Sequence, residues 1–338
     1  MKKSPSVLLL GLAASFMTTG VAEAADIKER NLKIAAVLQA DSPYVISAQR
    51  VATLIGEKSG NKMKAKVFAG GSLGGDVAVV SSLQGGTVDM TMVASGILSG
   101  VIKEFGLFSI PMLFNEPKDA YVVLDSPVGK KFLDRLPAKN LVGLGWWEYG
   151  YHNITNSKRP VTKWEDIQGL KIRTQQIPAL IDTFNTLGAN AVPMPFTEVY
   201  TALETKAVDA QENTLASIET SKFGEVQKYL STTRHVYDPI VVLFSKKVWD
   251  QLGADEQKII QEAVAEVTSY ERKLSQDREV QALEGLKKRG MIVTDFPQSE
   301  RDRMAEKLRP VMEKYTQQAD PALVKELFAE IDKVRGRK

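Results

Sequence analysis

Two stretches of the chain alternate short buried strands with amphipathic helices, and this alternation restricts the fold more than any other feature. Leu32 to Leu38 (LKIAAVL) predicts a buried strand, broken by Gln39-Ala40-Asp41-Ser42-Pro43. From Tyr44 to Lys58 apolar residues recur at helical spacing (Val45, Ala48, Val51, Ala52, Ile55), and Ser59-Gly60 ends the run. Ala65 to Phe68 and Val88 to Val93 predict two more strands, and the glycines around Leu73 lead into a helix from Val77 to Gln84. A β-α-β-α-β order argues for an α/β domain on a largely parallel sheet. Ligands tend to sit in the crevice at the carboxyl ends of such strands.

A second series begins near Gly150. Leu170 to Arg173 predicts a strand, Pro178 to Leu187 a helix and Ala191 to Pro193 a short strand. Thr197 is placed to cap a helix from Glu198 to Lys206, with Glu198 in the first turn where the helix dipole favours an acid. Val208-Asp209-Ala210 starts the next strand. Apolar residues from Ile259 to Leu286 then mark one helical stretch, Asp255 to Lys288, with Gly290 suited to its C-terminal cap. At 1.5 Å per residue it spans roughly 50 Å, long enough to run across two lobes.

The start of the chain predicts export. Lys2 and Lys3 precede an apolar run from Val7 to Val21, and Ala22-Glu23-Ala24 supplies the small residues that a signal peptidase reads. The run is shorter than the roughly 20 residues of a spanning helix. Residues 1–24 therefore read as a signal peptide, leaving 314 of the 338 residues from Ala25 onward. That length exceeds the usual ceiling of about 250–300 residues for one core, so two domains are expected. With zero cysteines, disulfides and thiol chemistry are excluded. Loss of two lysines and one glutamate takes the net charge from +3 to +2, which gives no footprint for a nucleic-acid partner.

No catalytic constellation emerges, and no cofactor or metal is implied. The two histidines, His152 and His235, stand far apart in no ligand-spaced motif. Ser59 and Lys62 fit an S-x-x-K pattern without its partner motifs. Gly70, Gly71, Gly74 and Gly75 match neither phosphate-loop nor dinucleotide spacing. Binding chemistry is better represented. Arg173 ends a strand, either as a solvated charge or as a planar fork that holds a carboxylate through two parallel hydrogen bonds. Trp146, Trp147, Tyr149 and Tyr151 either line a pocket or pack at a domain junction. Asn213 either bonds a ligand oxygen or caps the helix that follows.

The segments GLKIR (169–173), LGANAVPMPFTEVYTALETKAVDAQEN (187–213) and KFGEVQKYLS (222–231), in this order, resemble the solute-binding subunits of tripartite ATP-independent periplasmic (TRAP) transporters. Weaker echoes occur at GGSLGGD, VDMTM and YHNITNSKRP, and the likeness covers essentially the whole mature chain. The resemblance implies an α/β, two-lobed periplasmic binding protein of the class II-like type, with hinge strands and a long lobe-spanning helix. It places residues 25–150 with 239–278 in the first lobe and 151–238 with 279–338 in the second. It implies a monomer, in the periplasm, that captures a small organic acid without chemistry and passes it to TRAP membrane permease subunits. Arg173 matches the carboxylate anchor, Phe196 the aromatic beside it and Asn213 the asparagine of the QEN-like segment. Gln39 and Asp76 match positions on the opposite lobe.

One departure bears on the ligand. Where many members have a second arginine, this chain has His152, which is only partly charged near neutral pH and serves a second carboxylate less well. A hydroxylated monocarboxylate such as a sugar acid is the preferred ligand, because Asp76, Gln39 and His152 offer groups for hydroxyls. An aromatic or 2-oxo acid, suggested by Trp147 and its neighbours, or a dicarboxylate, remains the alternative. So does a role as the ligand-sensing partner of a membrane receptor.

Overall fold

A computed structural model describes Met1 and residues 27–336; the signal peptide expected at 1–24 lies, apart from Met1, outside the described residues. Nine strands are described: β1 (Arg30–Ala35), β2 (Met63–Phe68), β3 (Met90–Ala94), β4 (Leu141–Asn156), β5 (Lys171–Thr174), β6 (Asn190–Pro193), β7 (Ala210–Asn213), β8 (Tyr229–Ser245) and β9 (Ile292–Thr294). They join in the order β2-β1-β3-β8-β4-β7-β5-β6, with β9 beside β8. Within each half the short strands are parallel: β1 with β2 and β3, β5 with β6 and β7. This is the arrangement that the β-α-β-α-β alternation demands, since a helix must carry the chain back between parallel neighbours.

The two halves are joined by β4 and β8, which are 16 and 17 residues long. They run antiparallel: Leu141–Trp147 pairs with Ile240–Ser245 beside β3, and Ile154–Asn156 pairs with Tyr229–Ser231 beside β7 and β9. The helix Ala254–Lys288, 35 residues long, is the third connection. Its start packs Ile259, Ile260, Ala263, Val264 and Val267 into the first-lobe core with Ile34, Ala48 and Val51. Its end packs Ala282 and Leu286 with Leu203, Ile218 and Phe223 of the second lobe. Each buried aliphatic contributes about 2 kcal/mol, so both ends of the helix are firmly seated. Gly290 follows the helix at φ +92°, the left-handed stop that the sequence predicts there.

One expectation is corrected. Thr197 caps nothing: Phe196–Glu198 forms a short 3-10 turn, and the helix Val199–Glu204 starts after it without a side-chain cap. The last helix, Pro321–Val334, packs on the segment 117–135. Arg135 Nη2 donates to Asp320 at 2.7 Å and Lys131 Nζ to Glu326 at 2.7 Å. Among the described residues no helix is long and apolar enough to cross a membrane.

Candidate functional site

Arg173 sits in β5 between β6 and β7, opposite Val192 and Gln211, and is 1% exposed. Its Nε and Nη2 donate to the Met194 carbonyl at 3.1 and 2.8 Å, which fixes the plane of the guanidinium. Its Nη1 is buried and bonds no protein atom. Burial lowers the Arg173 pKa and Glu212 opposes that shift, so the guanidinium stays charged. Asn213, at the end of β7, is fully buried; its Oδ1 accepts from Thr214 N–H at 2.9 Å and its Nδ2 bonds nothing. An unmatched buried donor costs about 1–3 kcal/mol, more when charged. Two such donors, one cationic, on neighbouring strands of one lobe suit an anionic oxygen acceptor. Capping of the next helix falls instead to Thr214, whose Oγ1 accepts from Ser217 N–H at 3.3 Å.

Behind this pair lies a fully buried polar group. His152 Nδ1 pairs with Glu212 in a short hydrogen bond, and His152 Nε2 lies 3.7 Å from Asp238. His235 Nε2 lies 3.7 Å from Glu212, and its Nδ1 meets Thr233 Oγ1 at 2.9 Å. Burial alone raises a carboxyl, but the His152 charge and hydrogen bond hold Glu212 at about 2. Burial lowers His152, and Glu212 overcomes it, so the net shift is upward. The histidine expected to face the ligand is therefore buried and paired with Glu212, which favours its charged form. Burial lowers His235. The two histidines, distant in sequence, meet because β4 and β8 pair in the register that sets His152 opposite Val236.

The facing wall belongs to the first lobe. Asp76 is the first residue of the helix Asp76–Gly85; burial pushes its carboxyl up to about 6, against the pull of Arg173. Gln39 is exposed, with its Oε1 3.4 Å from where a Cβ on Gly70 would stand. The lobes meet here. A Cβ on Gly71, which has φ +69°, would collide with Thr197 Cγ2, and one on Gly75 would reach 3.2 Å from Pro195 Cβ. Phe196, next to both contacts, packs against the cores of both lobes and lies 5.8 Å from the Arg173 guanidinium. Asp76 and Phe196 thus lie near Arg173 where the lobes meet, with Gln39 exposed beside Gly70.

Trp147 is not among them. It is 1% exposed in the first-lobe core, and its indole N–H donates to Thr268 Oγ1 at 3.2 Å. Trp146 packs on Phe108 with ring centroids 5.1 Å apart, and Tyr151 donates to the Phe114 carbonyl at 3.0 Å. Tyr149 lies within the electrostatic reach of Asp76 and Arg173, and it accepts from Ser217 Oγ at 3.4 Å. Tyr149 is the unpaired residue of a bulge between Glu148 and Gly150. Grooves of about 620 and 690 Å³ share Tyr151, Arg234 and Arg301 and include none of the cleft residues, so size does not locate the site. Among the described residues no group of three or more His, Cys, Asp or Glu side chains could hold a metal ion.

The chain matches the family "bacterial extracellular solute-binding protein, family 7" (DctP) over residues 34–318. It is 38% identical over 259 residues to the 2,3-diketo-L-gulonate-binding periplasmic protein of Escherichia coli K12, covering 76% of this chain and 79% of that protein. Its fold superposes, with a TM-score of 0.89 and 43% identity, on the sugar acid binding protein of Advenella mimigardefordensis in complex with galactonate, covering 91% and 100% of the two chains. A TRAP periplasmic solute-binding protein of a Polaromonas species bound to D-erythronate aligns with a TM-score of 0.84 at 33% identity, covering 92% and 99%. Such relatives are binding proteins of transporters. With a family match across residues 34–318 and a fold shared with two-lobed binding proteins of the same kind, this chain belongs to the family 7 (DctP) solute-binding proteins of TRAP transporters.

Proposed function

We propose that the chain captures a sugar acid in the periplasm and delivers it to TRAP permease subunits, making and breaking no bond. The observation that carries this reading is the buried pair of unmatched donors, Arg173 Nη1 and Asn213 Nδ2, on the neighbouring strands β5 and β7. Arg173 holds the ligand carboxylate, Asn213 fixes its tilt, and Phe196 covers its apolar edge. Asp76 and Gln39 accept or donate at hydroxyls further along the ligand. A second carboxylate on that side would meet the Asp76 charge, which favours a hydroxylated monocarboxylate over a dicarboxylate. The galactonate and D-erythronate complexes of the relatives support that class. Residues 1–24 serve as the export signal, the mature protein acts as a monomer, and contacts from both lobes shift the molecule toward closure.

The test is a thermal-shift panel of galactonate, erythronate, glucuronate, succinate and an aromatic acid on the mature protein. A ligand at 100 times its dissociation constant adds about 2.7 kcal/mol of stability. A shift with the polyhydroxy monocarboxylates, and not with succinate, supports the assignment. A shift with succinate or the aromatic acid alone would overturn it.

A further inference from the structure

We propose that Glu279 on the lobe-spanning helix is a positioning residue for ligand capture, holding the chain just after Asn213 so that the Asn213 amide faces the cleft. The proposal rests on the reading of Arg173 and Asn213 as the carboxylate site.

One face of the helix Ala254–Lys288 carries Glu271, Ser275 and Glu279, four residues apart, toward the hinge strand β4. Glu271 accepts from Glu148 N–H at 2.9 Å and from Ser275 Oγ at 2.8 Å, so that part of the row binds the helix to β4 alone. Glu279 reaches further. Its Oε2 accepts from Leu215 N–H at 3.1 Å and its Oε1 from Ala216 N–H at 3.2 Å. These amides open the helix Leu215–Thr220, where no earlier turn supplies an acceptor. The third amide, of Ser217, is taken by Thr214 Oγ1. The start of this helix is therefore held jointly by its own cap and by a side chain from an element seated in both lobes.

Gly150 lies beside this contact. It has φ +111°, a conformation that favours glycine, and follows the β4 bulge. A Cβ there would stand in ordinary contact, 3.6 Å from Glu279 Oε1 and 3.7 Å from Thr214 Cγ2, so the backbone angle and not space calls for glycine. The sequence Asn213-Thr214-Leu215 does the rest. Asn213 Oδ1 already accepts from Thr214 N–H, so whatever fixes Thr214 and Leu215 fixes the direction of Asn213 Nδ2. Because the other end of the long helix is packed into the first lobe, the position of one lobe is felt at the anchor in the other.

The test compares Glu279→Ala, Glu279→Gln and Glu271→Ala with the wild type. The measurements are galactonate affinity by calorimetry and amide exchange at residues 214–217 without ligand. Burial pushes the Glu279 carboxyl up to about 7 against the two amides, so both are made at about pH 8.5, where it is ionised. Glu279→Ala should weaken binding about tenfold and speed exchange at Leu215 and Ala216. Glu279→Gln keeps one carbonyl acceptor for two amides and should recover about half of the loss on a logarithmic scale, without reaching the wild type. Glu271→Ala should lower the melting temperature but leave the affinity within about twofold, since it touches neither amide. Affinity unchanged in folded Glu279→Ala, or equally reduced in Glu271→Ala, would overturn the proposal. If Glu279→Ala does not fold, Glu279→Gln decides: exchange and affinity both unchanged from wild type would overturn it. If the wild type binds no sugar acid, the carboxylate reading falls and this proposal with it, while the exchange data still report whether Glu279 holds the turn.

Discussion

The two walls of the cleft are built from different materials. On the second lobe, Arg173 and Asn213 stand on strands, both buried, with the guanidinium plane set by the Met194 carbonyl and the network of His152, Glu212 and His235 behind it. On the first lobe, Gln39 lies exposed in a loop and Asp76 opens a helix after a glycine-rich turn. A site held by packed strands loses little entropy when it binds, while a loop wall adapts more readily to what it meets. The difference suggests a division of work: the strand wall recognises the carboxylate common to any organic acid, and the loop wall reads the rest of the molecule.

Substitutions on the two walls should therefore fail in different ways. Glu212→Gln removes the charge opposite buried His152 and should cost about 3 kcal/mol in denaturant unfolding at neutral pH. Because Glu212 is held at about 2, its contribution is present above the ordinary carboxyl range and is lost as the pH falls toward 2. That acid-side loss should be absent in the variant. If Glu212→Gln unfolds like the wild type, the pairing with His152 does not hold this wall together. Asn213→Ala should weaken every acid that binds by about tenfold, without altering their order of preference. A change of order would move Asn213 from the shared function to the selective one.

Effects on the loop wall should be smaller and selective. The Asp76 carboxyl is raised to about 6, so its ionised form is disfavoured in the closed protein, and the associated stability is present at low pH and lost as the pH rises through 6. Asp76→Asn should then raise the stability of the ligand-free protein by about 1 kcal/mol at pH 7.5 and by nothing near pH 4. It should also change which sugar acid binds best. Thermal melts across that range decide, and a destabilised variant at pH 7.5 would contradict the sign. Gln39→Ala should change affinity by no more than about threefold, measured by calorimetry, as befits an exposed side chain.

The strand wall was the more legible of the two in the sequence, because Arg173 and Asn213 fall within segments whose order and spacing resemble a known family. The alternation of strands and helices came from hydrophobic period alone, and the long helix was readable from Ile259 to Leu286. What escaped depends on pairing between distant segments. Nothing local to His152, Glu212 or His235 says that they converge; that follows from the register of β4 against β7 and β8. Tyr149 and Trp147 look alike in sequence, yet a bulge leaves the first against Ser217 while the second fills the core. Thr197 looked like a cap because Glu198 follows it, but the closed lobes use its methyl group against Gly71.

The central claim is that Arg173 anchors a carboxylate, and calorimetry of Arg173→Ala and Arg173→Lys with the best-binding sugar acid tests it most directly. The account predicts at least about a 100-fold loss for the alanine variant, with lysine restoring part of it as a point charge without the fork. Both variants should keep a cooperative melt. A folded Arg173→Ala that still binds the acid within about threefold of wild type would contradict the account.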